Sequence, residues 1–115
     1  MDGGVSQKLL MNKYRAKKRT VDGQVFHSIH EANRYQELKL MEKTQAIQDL
    51  KTQVSFPLIR KSKYGREIKY IADFTYYENG NLVVEDAKSP VTKTPAYRLK
   101  KRLMQELYSI TIKET

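Results

Sequence analysis

No cysteine occurs in the chain, so neither a disulfide framework nor a thiolate metal centre is available to it. No apolar run reaches the length that a membrane span or a signal peptide needs, and we expect a soluble, cytoplasmic protein with no membrane partner. Glycine-rich phosphate cradles are missing too, which leaves an ATP-driven role unsupported. Acids are scarce relative to bases: 13 Asp+Glu stand against 22 Lys+Arg, a formal charge of +9. The cations run from Lys8 to Lys113 instead of collecting in one tail, so the whole chain is basic and an anionic partner, nucleic acid first, is expected. A length of 115 residues is enough for one core and too short for two.

Along the chain, residues 1–12 form a flexible lead-in and residues 13–115 a single domain. Lys13, Arg15, Lys17, Lys18 and Arg19 make a basic arm without apolar periodicity, either solvated or ordering on phosphate. A helix then begins at Ser28 and Glu31, an S-x-x-E capping box, with Ile29, Ala32, Tyr35 and Leu38 as its apolar stripe, and ends at Lys43-Thr44-Gln45. His27 and His30, three apart at that helix start, are surface or capping residues, too few for zinc. Two short strands are expected at Ile47 to Leu50 and Gln53 to Ile59, the second at a sheet edge because of Pro57. A basic loop, KSKYGRE, follows.

The next segment can be read in register. Asn79-Gly80 between two alternating runs marks a two-residue type I′ hairpin turn. Counting outward pairs Glu78 with Asn81, Tyr77 with Leu82, Thr75 with Val84 and Asp73 with Asp86, and sets Ile71 opposite Lys88. Alternation then puts Asp73, Asp86 and Lys88 on one face, and Phe74 and Glu85 on the other, where Glu85 is expected to be a surface or ion-paired residue. Two carboxylates directly opposite on antiparallel strands, with Cβ atoms about 4.5 to 5.5 Å apart, repel each other. A shared proton would relieve that; so would a hard cation with oxygen ligands, and Mg²⁺ is typically held by one or two carboxylates plus substrate phosphate and water. Lys88 could then support a water nucleophile or the charge developing at phosphorus.

Thr94 as N-cap and Pro95 at the first helical position open a second helix, with Ala96, Leu99, Leu103 and Leu107 as the expected buried stripe. Lys100, Lys101 and Arg102 fill its other side as a solvated basic face or a phosphate rail, and Tyr97 either touches phosphate or packs on the sheet. Ile110-Thr111-Ile112 reads as a last short strand, parallel to the strand ending in Lys88 by a right-handed crossover.

The blocks FHSIHEANRYQEL, KYIADFTYY and LVVEDAK, in this order, resemble a small group of phage-encoded, resolvase-like endonucleases of the PD-(D/E)xK nuclease superfamily. Ala72 stands where the superfamily pattern has proline. The resemblance implies an α/β, restriction-endonuclease-like core in α-β-β-β-α-β order, a mixed sheet flanked by two helices. It also implies a Mg²⁺-dependent endonuclease, with Mn²⁺ substituting, that hydrolyses DNA phosphodiesters, branched or phage recombination DNA included. Asp73 and Asp86 would hold the metal with Glu31 from the first helix, and Lys88 would assist the attack. Lys13, Arg15, Lys17, Lys18, Arg19, Lys100 and Lys101 would bind DNA. Cutting both strands would need a homodimer. The alternative is a basic DNA-binding protein that keeps the fold without cleaving, and DNA is not separable from RNA at this level.

Overall fold

A computed structural model describes residues 18–88 and 93–115. Lys13, Arg15 and Lys17 of the basic arm therefore lie outside the described residues. These form two compact units, one ending at Glu37 and the other beginning at Leu38.

In the first unit an antiparallel hairpin joins β1 (Arg19–Val21) to β2 (Gln24–Phe26). Asp22 and Gly23 make its turn, with φ of 53° and 75°. Asp-Gly is among the few dipeptides that tolerate two successive left-handed residues, which is why the chain reverses there. This hairpin occupies ground where only the end of a basic arm was expected. Helix α1 (Ile29–Lys43) follows. Its first turn is closed by the Glu31 N–H donating to Ser28 Oγ (2.9 Å), while Glu31 Oε1 accepts the His27 N–H (3.1 Å), one residue before the usual capping-box donor. Ala32 and Tyr35 are buried, the Tyr35 ring 4.7 Å from that of Phe26, but Ile29 is exposed and does not belong to the stripe.

The second unit holds a four-stranded mixed sheet in the order β3-β4-β5-β6. Strand β3 (Gln48–Ile59) is one continuous strand instead of two pieces; a register shift between Gln48 and Lys51 absorbs the irregularity that reads as a break in the sequence. It is an edge strand, as Pro57 requires. Strands β4 (Ile68–Glu78) and β5 (Asn81–Asp86) pair antiparallel from Phe74 with Glu85 to Glu78 with Asn81, around a turn whose Asn79 and Gly80 have φ of 53° and 79°.

Thr94 Oγ1 accepts the Tyr97 N–H (3.1 Å) and starts α2 (Pro95–Tyr108); Ser109, left-handed at φ 56°, ends it. The last strand, β6 (Lys113–Glu114), lies parallel to β5 with Asp86 beside Glu114, slightly beyond Ile110 to Ile112. Ile112 instead goes into the core.

That core joins α2 to the sheet through Leu58, Tyr70, Ala72, Val84, Tyr97, Met104 and Ile112. The buried side of α2 is therefore Tyr97 and Met104, one heptad apart; of the expected stripe only Leu103 packs partly against this core, while Ala96, Leu99 and Leu107 are exposed. The helix offers two apolar faces, and the sheet takes the one with the ring and the thioether. Among the described residues no helix is long and apolar enough to cross a membrane.

Candidate active site

Asp73 and Asp86 are brought together by the β4–β5 register, one step beyond the Phe74–Glu85 pair. Asp86 is buried, and its surroundings are specific. Its Oδ2 accepts the Tyr70 hydroxyl at 2.6 Å, and its Oδ1 lies 3.6 Å from Lys88 Nζ. Asp73 Oδ2 accepts the Ala87 N–H at 2.9 Å, so the same backbone that carries Asp86 and Lys88 also fixes Asp73. Burial first, and then the neighbouring Asp73 carboxyl, push Asp86 up to about 7; Tyr70 and Lys88 act in the opposite direction.

Strict alternation would place Tyr70 and Asp86 on opposite faces, yet they share a hydrogen bond. The pleat changes sides between them. In the constant β3–β4 register, Gln53 falls opposite Asp73, and Gln53 has φ of 54°. Tyr70, with its own titration raised by burial and by Asp86, thus becomes the residue that orients Asp86. No sequence signal pointed to it.

Lys88 is held from the other side. Its ammonium lies 4.6 Å from the centre of the Tyr97 ring, and the Tyr97 hydroxyl donates to Glu114 Oε2 (2.7 Å). Glu114 also receives Lys93 and Lys101, each at 3.1 Å. The Tyr97 bond foremost, then the two ammonium groups, hold its carboxyl down at about 2. Tyr97 therefore packs on the sheet and positions Lys88 at once. Lys101 is committed to Glu114, whereas Lys100 lines a cleft of about 380 Å³ with Lys69, Lys88, Tyr70 and Tyr97. The basic run of α2, read as a solvated face or a phosphate rail, is therefore split: Lys100 lines the cleft that Tyr70 and Lys88 also line, and Lys101 is an ion-pair partner.

The chain belongs to a family of proteins of unknown function, DUF1064, whose pattern matches residues 11–114. No curated protein and no solved structure matches it. The family description names no activity, so the chemistry rests on the site itself.

Glu85 is a correction. Expected at the surface or in an ion pair, it is fully buried on the face opposite Asp86, where Oε1 accepts the Tyr76 hydroxyl (2.7 Å) and Oε2 the Thr115 hydroxyl (2.9 Å). Both faces of β5 are covered at this point, so alternation separates two buried carboxylates instead of one buried and one wet. Glu31 lies in the first unit, buried, in its capping arrangement. Lys18 and Arg19 are exposed there, at the start of β1. Among the described residues no cluster of three or more His, Cys, Asp or Glu is arranged to hold a metal ion. A site built on Asp73 and Asp86 is then a two-carboxylate site, the kind that relies on substrate phosphate and water for its remaining ligands.

The pair makes a pH prediction. A folded-state carboxyl raised above its unfolded value stabilises the fold least when it must be charged. In EDTA the melting temperature should therefore fall as pH rises from about 5 to about 7, then level off, because native Asp86 keeps its proton where the unfolded chain has released it. Asp73→Asn, which keeps an acceptor for the Ala87 N–H while removing one facing charge, should flatten this slope and raise the melting temperature near neutral pH. Thermal melts across pH decide it. A variant less stable than wild type at neutral pH would make Asp73 a structural residue.

Proposed function

We propose that this protein is a metal-dependent endonuclease that hydrolyses DNA phosphodiester bonds at Asp73, Asp86 and Lys88. The observation that carries the proposal is the buried Asp86 carboxyl, in contact with Asp73 and beside an ammonium group, on a strongly basic chain. Binding phosphate requires cations alone. A pair of acids would repel it unless a cation stood between. The donor set fits Mg²⁺ or Mn²⁺: hard oxygens, two carboxylates, and one of them costly to leave charged without a partner. The sequence resemblance to PD-(D/E)xK nucleases points the same way.

When bound, the metal supplies Lewis acidity and a more acidic water. The chain's own contributions are positional and electrostatic. Tyr70 orients Asp86 through Oδ2, the Ala87 N–H orients Asp73, and the Tyr97 ring steadies Lys88, whose ammonium faces the cleft where a phosphate would sit. A positively charged group in that place stabilises the charge that builds on phosphorus oxygens during attack. Lys69 and Lys100 add charge along the same cleft.

Incubating the protein with duplex, single-stranded and branched DNA, and with RNA, in Mg²⁺, Mn²⁺ or EDTA tests this directly. Cleavage with either metal and none in EDTA is expected. Tight, salt-sensitive binding without cleavage under any condition would instead identify a basic nucleic-acid-binding protein. Binding should also distinguish the two lysines of α2. Lys100→Ala should reduce the slope of log affinity against log salt by about 1, the loss of one phosphate contact, and Lys101→Ala should reduce it less. Equal effects would mean that Lys101 leaves Glu114 for the substrate.

A further inference from the structure

The hairpin joining β3 to β4 ends in a feature that the site does not use. Ile59 pairs with Ile68 at the end of the ladder, and Ser62 pairs with Gly65 in the same register, so the hairpin continues outward about 10 Å past the sheet. Two backbone bonds between Ser62 and Gly65 (3.0 and 3.2 Å) close it, and Ser62 Oγ accepts the Tyr64 N–H (3.1 Å). The two residues at the tip are Lys63 and Tyr64.

Turn chemistry does not account for them. The other two hairpins turn on Asp22-Gly23 and Asn79-Gly80 with positive φ, while neither Lys63 nor Tyr64 is left-handed. Tyr64 is 88% exposed, the most exposed large apolar side chain described, with Lys63 Nζ 5.2 Å from its ring centre. Arg60, Lys61, Lys63 and Arg66 flank it in the sequence, all exposed, and among the described residues no carboxylate pairs with any of them. Four cations within seven residues, none held by a carboxylate, attract a polyanion.

We propose that this tip is a second nucleic-acid contact, in which Tyr64 stacks on an unpaired base while Arg60, Lys61, Lys63 and Arg66 hold the flanking phosphates. An aromatic ring presented on a rigid turn loses little freedom when it stacks, and every base has a face for it. Duplex DNA keeps its bases stacked on one another, so the partner is a nucleic acid with a single-stranded or unpaired stretch. Eight residues of β4 and its approach lie between Tyr64 and Asp73, at most about 30 Å of extended chain. At 3.4 Å per nucleotide along a strand, the stacked base lies within about nine nucleotides of the phosphate at the acid pair. The distance rests on the nuclease site proposed above; the contact itself requires only that the protein bind nucleic acid.

The test compares wild type, Tyr64→Ala and Tyr64→Phe for affinity to plain duplex and to the same duplex with a single-stranded flank, in EDTA. Tyr64 is exposed, so both variants should fold. Tyr64→Ala should weaken binding to flanked DNA by about 5- to 100-fold, leave plain duplex within about twofold, and abolish the quenching of 2-aminopurine placed in the flank; Tyr64→Phe should behave as wild type. Unchanged affinity of Tyr64→Ala for flanked DNA, or an equal loss on both DNAs, overturns the stacking contact and leaves the cleavage proposal standing. Loss on flanked DNA alone, with no metal-dependent cleavage by wild type, supports the contact and overturns the cleavage proposal. A wild type that binds no nucleic acid overturns both.

Discussion

Asp86→Asn is expected to lower metal-dependent cleavage by about 10³-fold or more, since the chemistry that a bound cation supplies is worth several kcal/mol of barrier. Asparagine suits the test because its carbonyl can still accept the Tyr70 hydroxyl while the carboxylate charge is gone. Stability in EDTA should hold or rise, as one of two facing acids has been neutralised, so the lost activity cannot be assigned to unfolding. Lys88→Ala should give a comparable loss at nearly unchanged metal response, because its ammonium acts on substrate charge and is no ligand. Tyr70→Phe should be milder, about tenfold, removing the bond that aims Asp86 without removing the charge. Cleavage assays paired with Mn²⁺-dependent melting curves separate these outcomes. An active Asp86→Asn protein would sink the proposed site.

Glu85→Ala should cause the largest loss of stability of any single change considered. It removes the carboxylate that accepts the buried Tyr76 hydroxyl and the half-buried Thr115 hydroxyl and opens space beneath them. Each such orphaned group costs about 1–3 kcal/mol, so a loss of about 2–5 kcal/mol is expected. For a chain of this size that lowers the melting temperature by about 10 °C or more. Glu85→Gln, which can still accept one hydroxyl, should fall between. If either variant remains folded at the assay temperature it should still cleave, since Glu85 lies on the face away from Asp86. A fully stable Glu85→Ala protein would contradict the buried position assigned to it.

The same hairpin shows how far local sequence reaches. Asn79-Gly80 sets a two-residue turn, the turn sets the pairing, and the pairing brings Asp73 to Asp86; none of this depends on distant residues. Ser28 with Glu31, Thr94 with Pro95, and Pro57 at an edge are local in the same way, because each answers a requirement of its own few backbone groups. The hairpin at Asp22-Gly23 was equally legible: its turn dipeptide lies between Thr20-Val21 and Gln24-Val25-Phe26, under cover of the basic residues before it.

Other features depend on what packs against what. Helix α2 carries apolar residues on two sides, and periodicity ranks the leucines first; the sheet selects Tyr97 and Met104, and with Tyr97 comes the support of Lys88. Glu85 alternates with Asp86 whatever surrounds it, but only the covering of both faces of β5 makes it a buried acid with two hydroxyl donors. Tyr70 meets Asp86 across the faces that strict alternation assigns them, an arrangement visible only once the strands are packed. Sequence alone determined the Asn79-Gly80 turn, the helix N-caps and the β4–β5 register, since these are set by backbone groups a few residues apart. Tertiary structure decided which faces are buried and which hydroxyls reach the acids, since burial and long-range hydrogen bonds belong to pairs of elements and to no single one.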